Sequence, residues 1–182
     1  MARLALFGLA TLGNVLLSRR SLPETSSHGF YRFFAFEFLA GLLLLNLPHW
    51  FRRPLAPRQL LSWPSLVASA ALAGHGFYLL RLVGRPRGRA EGALIPGFED
   101  TSQLVRVGAY RYIRHPLYSS LLLLGLGAWL KDPSRLATKL LVGAAGFLVN
   151  TALAEEKENA GRFGPAYEEY RRQTRLFVPG VF

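Results

Sequence analysis

Apolar residues along this chain come in long unbroken blocks. They show neither the alternation of a half-buried strand nor the narrow stripe of a surface helix. Leu4 to Ser18 is uncharged throughout, and Phe30 to Trp50 is apolar except for Arg32, Glu37 and a few neutral polar residues. Leu60 to Leu80 runs 21 residues without a formal charge, broken only by Pro64 and His75. Leu117 to Leu130 and Leu140 to Ala154 complete the set, and Leu136 extends the last block past Lys139. A helix crosses the hydrocarbon core in about 20 residues. The third block meets that length outright. The others reach it with flanking polar residues whose long side chains extend to the interface. Lys131-Asp132-Pro133-Ser134-Arg135 separates the fourth block from the fifth, which predicts a helix–turn–helix hairpin with Pro133 as the breaker. Leu, Ala and Gly dominate, so strands are not expected. The pattern predicts an all-α polytopic transmembrane protein. It has about five membrane helices, a C-terminal hairpin and an interfacial C-terminal segment. The chain forms a single membrane domain, 1–182, with N-terminal membrane helices in 1–83 and a more polar half in 84–182.

Composition agrees with a membrane location. The 182 residues are 51% hydrophobic with a mean hydropathy of +0.20, and only 18% are charged, against about 25% in soluble domains. That apolar content excludes a disordered basic tail. The 22 Lys and Arg residues outnumber the 11 Asp and Glu, for a net charge of +11. The basic charge sits beside the apolar blocks, so anionic lipid headgroups are a simpler counter-charge than nucleic acid. The absence of cysteine excludes disulfides, thiolate metal sites and cysteine nucleophiles. Four scattered histidines make no zinc site, and no metal is expected. Arg19-Arg20 follows the first block with no small-residue cleavage site, so that block reads as an uncleaved anchor.

Arginine placement suggests an orientation. Arg81, Arg85, Arg87, Arg89, Arg106, Arg111 and Arg114 precede the predicted hairpin, and Lys157, Arg162, Arg171, Arg172 and Arg175 follow it. A spanning hairpin puts both groups on one side, and the positive-inside rule makes that side cytoplasmic. Five spans then place the N-terminus outside together with Arg52, Arg53 and Arg58, so either that loop runs against the trend or one early block does not span.

Polar chemistry concentrates in two places. Gly108 to Tyr118 holds one imidazole, two guanidinium groups and three phenols beyond its glycine, and Pro116 suits the first turn of a helix. A single helix through this stretch puts Tyr110, Arg114 and Tyr118 on one face, although Pro116 favours a break. The second cluster is Glu155-Glu156-Lys157-Glu158, at the end of an apolar helix, where adjacent carboxylates need partners or water. Phe163 to Pro179 follows, with Tyr and Phe among charges, as an interfacial helix or lid. Each cluster also has a purely structural reading, as interfacial anchors and as a solvated helix end. His75 reads as a hydrogen-bonder in helix packing, and Arg32 with Glu37 as a pair or a polar seam. No dinucleotide fingerprint, phosphate loop, His-Glu-x-x-His or Gly-x-Ser-x-Gly motif is present.

Gly108-x-Tyr110-x-x-x-Arg114-His115-Pro116-x-Tyr118, followed by the hairpin, Glu155-Glu156, Phe163-Gly164-x-x-Tyr167-x-x-Tyr170 and a late Pro179, resembles the isoprenylcysteine carboxyl methyltransferase family. The related phospholipid N-methyltransferases share the scheme. The resemblance covers about Ser102 to Phe182. It implies a helical membrane methyltransferase using S-adenosyl-L-methionine (SAM), with 84–182 as the cofactor-binding catalytic half. It carries SAM contacts over to Ser102, Gln103, Leu104, Val105, Tyr110, His115, Pro116, Leu117, Tyr118 and Glu155, with Glu156 as the second carboxylate. It places Arg114 beside the reacting centre. In this picture Glu155 holds the SAM ammonium, and His115 or backbone N–H groups hold its carboxylate. Tyr110 and Tyr118 pack on adenine or the sulfonium. The prenylcysteine enzymes have a substrate-contacting arginine one turn before the SAM-binding glutamate; here that position is Thr151. Arg175 is the candidate for a replacement cation. The expected acceptor is a lipid or other lipophilic molecule, methylated at oxygen, nitrogen or sulfur. An NADPH-dependent membrane reductase of related architecture and a non-catalytic membrane scaffold are the rival readings. The short chain argues against a dinucleotide pocket.

Overall fold

Local signals set the helix starts. Ser27 Oγ accepts from the Phe30 N–H at 3.2 Å and Ser134 Oγ from the Ala137 N–H at 3.1 Å, which caps the second and fifth helices. Proline opens the third, fourth and sixth, where its missing N–H is harmless. The computed structural model describes residues 1–85 and 101–181. Among these lie helices α1 (Ala2–Ser18), α2 (His28–Asn46), α3 (Pro57–Leu82), α4 (Pro116–Trp129), α5 (Arg135–Phe163) and α6 (Pro165–Gln173), and no strand. Short 3-10 turns occupy Leu47–His49 and Gly108–Arg111. The expected arginines Arg87 and Arg89 lie outside the described residues.

Three helical stretches, His28–His49, Pro57–Leu82 and Arg135–Phe163, are long and apolar enough to cross a membrane. α1 and α4 are apolar but shorter. Leu4, Leu9, Leu12, Leu16 and Leu17 of α1 are all exposed, as are Leu60, Leu61 and Val67 of α3. In water so much exposed leucine is a liability, whereas in a bilayer it is the outer surface of the protein. The chain is thus an all-helical membrane protein.

α2 packs on α5 and α3 on α4, while α4 also meets α5 and α2, and α1 lies against α2. Ala35, Tyr118, Leu148 and Ala152 form the main apolar core with Leu176 and Phe177 of the C-terminal segment. Hydrogen bonds join the helices where leucine packing alone gives little preference for protein over lipid. Ser62 Oγ donates to the Gly127 carbonyl and Ser69 Oγ to the Ser120 carbonyl, each at 2.7 Å. Gly127 permits this approach: a Cβ there would sit 2.7 Å from Leu66 Cγ. Between α1 and α2, Glu37 accepts from Thr11 Oγ1 and Asn14 Nδ2, each at 2.7 Å, so it lines a polar seam.

The two ends of the bundle differ. At one, Asn46 Nδ2 donates to the Ala128 and Asp132 carbonyls, and Lys131 Nζ donates to Gln59 Oε1 at 2.9 Å. Lys131 is fully buried, its ammonium 3.3 Å from the Trp63 ring centroid, and burial pushes its amine below the ordinary lysine range. At the other end, Glu158 of α5 accepts from the His28 N–H at 3.0 Å and lies 2.6 Å from His28 Nδ1. The polar clusters singled out in the sequence sit at this second end.

Candidate functional site

Gly108 begins the site. It has φ +58°, which favours glycine, and a Cβ there would lie 2.4 Å from His75 Nε2. The close approach lets His75 accept from the Ala109 N–H at 3.3 Å. His75 therefore anchors the turn ahead of α4. Tyr110 follows, 7% exposed, and its carbonyl accepts from the Tyr170 hydroxyl at 2.7 Å. The helix breaks before Pro116, so Tyr110 and Tyr118 belong to different elements.

In the break the chain pairs with its own C-terminal segment. Ile113 and Arg175 form a parallel bridge. The Arg175 N–H donates to the Tyr112 carbonyl at 3.0 Å, the Arg114 N–H to the Arg175 carbonyl at 2.8 Å, and the His115 N–H to the Leu176 carbonyl at 3.2 Å. Ser119 Oγ adds a bond to the Phe177 carbonyl at 2.9 Å. Residues 174–177 thus form a strap over the start of α4.

Arg114 fastens the strap from inside. Its Nε donates to Glu156 Oε1, and its Nη1 to the Thr174 carbonyl at 2.6 Å and the Arg171 carbonyl at 3.2 Å. The Arg114 and Glu156 side chains are each only 9% exposed, so this is a buried ion pair with further hydrogen bonds. Arg114 Nη2 makes no hydrogen bond among the described residues.

Glu155 faces the pocket with its side chain 30% exposed. The Tyr118 hydroxyl donates to its Oε2 at 2.6 Å. His115 stacks on Tyr118, with ring centroids 5.4 Å apart and planes 14° apart. Its two nitrogens lie between the carboxylates, Nδ1 3.7 Å from Glu155 Oε2 and Nε2 3.7 Å from Glu156 Oε1. Nε2 is buried without a hydrogen-bond partner, and so is the Tyr167 hydroxyl. Buried polar atoms are almost always paired, so two orphans on one pocket wall are informative. Burial, helped by the charges of Glu156 and Glu155, raises the Tyr167 phenol far above the ordinary tyrosine value. Burial does the same to Tyr170, against the opposing charges of Arg114 and Arg106.

The pocket gathers most of the residues expected from the sequence. Leu104, Val105, Tyr110, Arg114, His115, Leu117, Tyr118 and Glu155 line it. Glu156 stands behind the wall, paired with the lining residue Arg114. Ser102 bonds the Gly84 and Arg85 carbonyls, Gln103 is exposed, and Pro116 is buried as the first residue of α4. These three, like Arg175, whose side chain is exposed, are outside the wall. Thr151 is fully buried and donates to the Phe147 carbonyl at 2.7 Å. The wall also contains residues that were not expected to touch a ligand: Leu80, Thr101, Asn159, Phe163, Tyr167 and Tyr170. Asn159 and Phe163 follow Glu155 at helical spacing, a signal present in the sequence. Thr101 has no such signal.

Among the described residues no cluster of side chains suits a metal ion. Comparison with family models, with curated proteins and with solved structures finds no match to this chain.

Proposed function

We propose that the chain is an integral-membrane methyltransferase that uses SAM and methylates a lipophilic acceptor. The observation that carries the reading is the pocket wall itself. A half-buried carboxylate, Glu155, is held by Tyr118, beside two buried polar atoms with no close hydrogen bond: His115 Nε2, whose Glu156 Oε1 neighbour is 3.7 Å away, and the Tyr167 hydroxyl. These groups fit SAM by donor set. Glu155 would take the ammonium, and His115 and Tyr167 would supply hydrogen bonds to the carboxylate. Tyr110, Tyr118 and Phe163 offer ring faces for adenine or the sulfonium. Bound SAM supplies an electrophilic methyl group.

The protein's part is positioning. Tyr118 fixes the Glu155 carboxylate, and the Arg114–Glu156 pair holds the 174–177 strap against the start of α4, which carries His115 and Tyr118. Arg114 Nη2 is the cation assigned to orient an acceptor, because Arg175 lies outside the wall. An apolar groove of about 440 Å³, lined by Leu72, Leu122, Leu123, Leu126, Phe177 and Val178, also takes in Ala109, Tyr112 and Ile113 of the segment that gives Tyr110 and Arg114 to the pocket. It supports a lipophilic acceptor. We place all five apolar helices through or into the bilayer, with α4 and α5 as the hairpin. The arginine-rich site end and the C-terminus are assigned to the cytoplasmic side by the positive-inside rule.

The direct assay supplies methyl-labelled SAM and a total lipid extract to detergent-purified protein. Label in the solvent-extractable fraction, suppressed by S-adenosylhomocysteine, is the expected result. NADPH consumption with no methyl transfer would instead select the reductase reading.

A further inference from the structure

The end of the bundle opposite the candidate site has its own charge pattern. It comprises the start of α1, the α2–α3 connection and the α4–α5 connection. Arg3, Arg52, Arg53, Arg58, Arg135 and Lys139 are all exposed there. Those segments contain a single carboxylate, Asp132, which already lies 3.6 Å from Arg58 Nη2 and 3.7 Å from His49 Nε2. Among the described residues, Arg3, Arg135 and Lys139 form no ion pair.

Beside these three cations a groove of about 380 Å³ opens between α1, α2 and α5. Leu4, Phe7, Gly41, Leu45 and Leu140 line it, with Arg3 at its mouth. Gly41 keeps the floor low: a Cβ there would already touch Leu140 at 3.6 Å and Phe7 at 3.9 Å. Arg3 reaches over the end of α2, its Nη1 3.5 Å from the Leu45 carbonyl. Arg135 and Lys139 lie one turn apart on α5, each next in sequence to a groove residue, Leu136 and Leu140. The arrangement joins an apolar slot, in a protein whose outer surface is built for lipid, to one uncompensated cation in its lining, Arg3, and two more, Arg135 and Lys139, on the turns of α5 that supply its lining leucines.

We propose that this groove holds one anionic phospholipid, an acyl chain between α1, α2 and α5 and the headgroup phosphate against Arg3, Arg135 and Lys139. Charge complementarity selects the occupant. A neutral lipid fills the slot equally well but leaves the cations unanswered, and a second copy of the chain would bring like charge to the same place. The site is separate from the catalytic pocket and does not depend on the methyltransferase reading.

Native mass spectrometry of the detergent-purified protein, offered phosphatidylglycerol and phosphatidylcholine together, tests it. Wild type retains phosphatidylglycerol selectively. Each basic residue near a membrane surface is worth about fivefold in anionic lipid binding. The triple variant Arg3→Gln/Arg135→Gln/Lys139→Gln, altered only at exposed positions, therefore loses more than tenfold, and its phosphatidylcholine retention does not change. Gly41→Leu keeps every cation but fills the slot, and it loses phosphatidylglycerol too. Arg52→Gln/Arg53→Gln, on the same end but away from the groove, retains it. The proposal is overturned by equal retention of the two lipids in wild type, by a triple variant that still selects phosphatidylglycerol, or by a dimer that buries the groove.

Discussion

The Tyr118 hydroxyl donates to Glu155 Oε2 across 2.6 Å, and this bond joins α4 to α5 at the wall of the candidate site. It holds a carboxylate that is still 30% exposed in one orientation. Tyr118→Phe removes the bond and keeps the ring, including its stacking with His115. A hydrogen bond to a charged group contributes about 1.5–3 kcal/mol. Its loss should lower Tm by several degrees and weaken S-adenosylhomocysteine binding about tenfold, measured by thermal unfolding and calorimetry. Unchanged affinity would show that Glu155 needs no such holder.

Arg114 and Glu156 form a buried pair: losing Glu156 leaves Arg114 without its carboxylate, and losing Arg114 leaves Glu156 only the half-exposed Arg171 at 3.7 Å as an arginine partner. Arg114→Ala or Glu156→Ala should destabilise the fold by about 3–5 kcal/mol. The double substitution Arg114→Met/Glu156→Met should recover most of that stability while leaving methyl transfer low. Chemical unfolding monitored by Trp fluorescence reads the first part and a turnover assay the second. Full turnover in the stable double variant would remove Arg114 from the acceptor site.

Gly108→Ala adds a Cβ against His75 Nε2 and forces an alanine to hold φ +58°. The conformational cost alone is about 1 kcal/mol, and the clash breaks the His75–Ala109 bond. The helices should persist by circular dichroism while ligand affinity drops, because the displaced turn carries Tyr110. Retained affinity would show that the turn does not position the site.

Tyr167 gives a pH prediction of definite sign. Its phenol in the folded protein titrates well above the ordinary value of 10.0. Its contribution to stability is therefore complete below about pH 10 and is lost as pH rises further, when the unfolded chain ionises first. Tyr167→Phe should flatten the fall of Tm above pH 10. At neutral pH, where the phenol is protonated in both the folded and the unfolded chain, the substitution should change Tm little. Ligand affinity should nevertheless drop. A variant as alkali-sensitive as wild type would contradict this account.

Much of the architecture was legible in apolar block length, but not the membrane role of every block. The third block became α3 almost as read, and Pro116 and Pro133 marked the start of α4 and the connection before α5. α1 and α4 were expected as spans, yet the helices they form are apolar but short, and three stretches reach spanning length. Glu155, Tyr118 and His115 were readable as a cluster because they fall in dense polar runs beside apolar blocks, although Glu155 lies inside α5, which continues to Phe163 instead of ending at the carboxylates. Tyr167 and Thr101 were not expected in the wall. They come to it through the loop arrangement and the strap pairing Ile113 with Arg175, backbone contacts distant in sequence that leave no periodicity. Arg175 illustrates the same kind of contact: its backbone makes the bridge and its side chain is exposed outside the wall.

Titration of detergent-purified protein with S-adenosylhomocysteine, wild type beside Glu155→Gln, tests the central claim most directly. The account predicts micromolar binding to wild type and a loss of at least tenfold in the variant, with Tm preserved. Equal binding to both proteins, or no binding to a wild type that unfolds cooperatively, would contradict it.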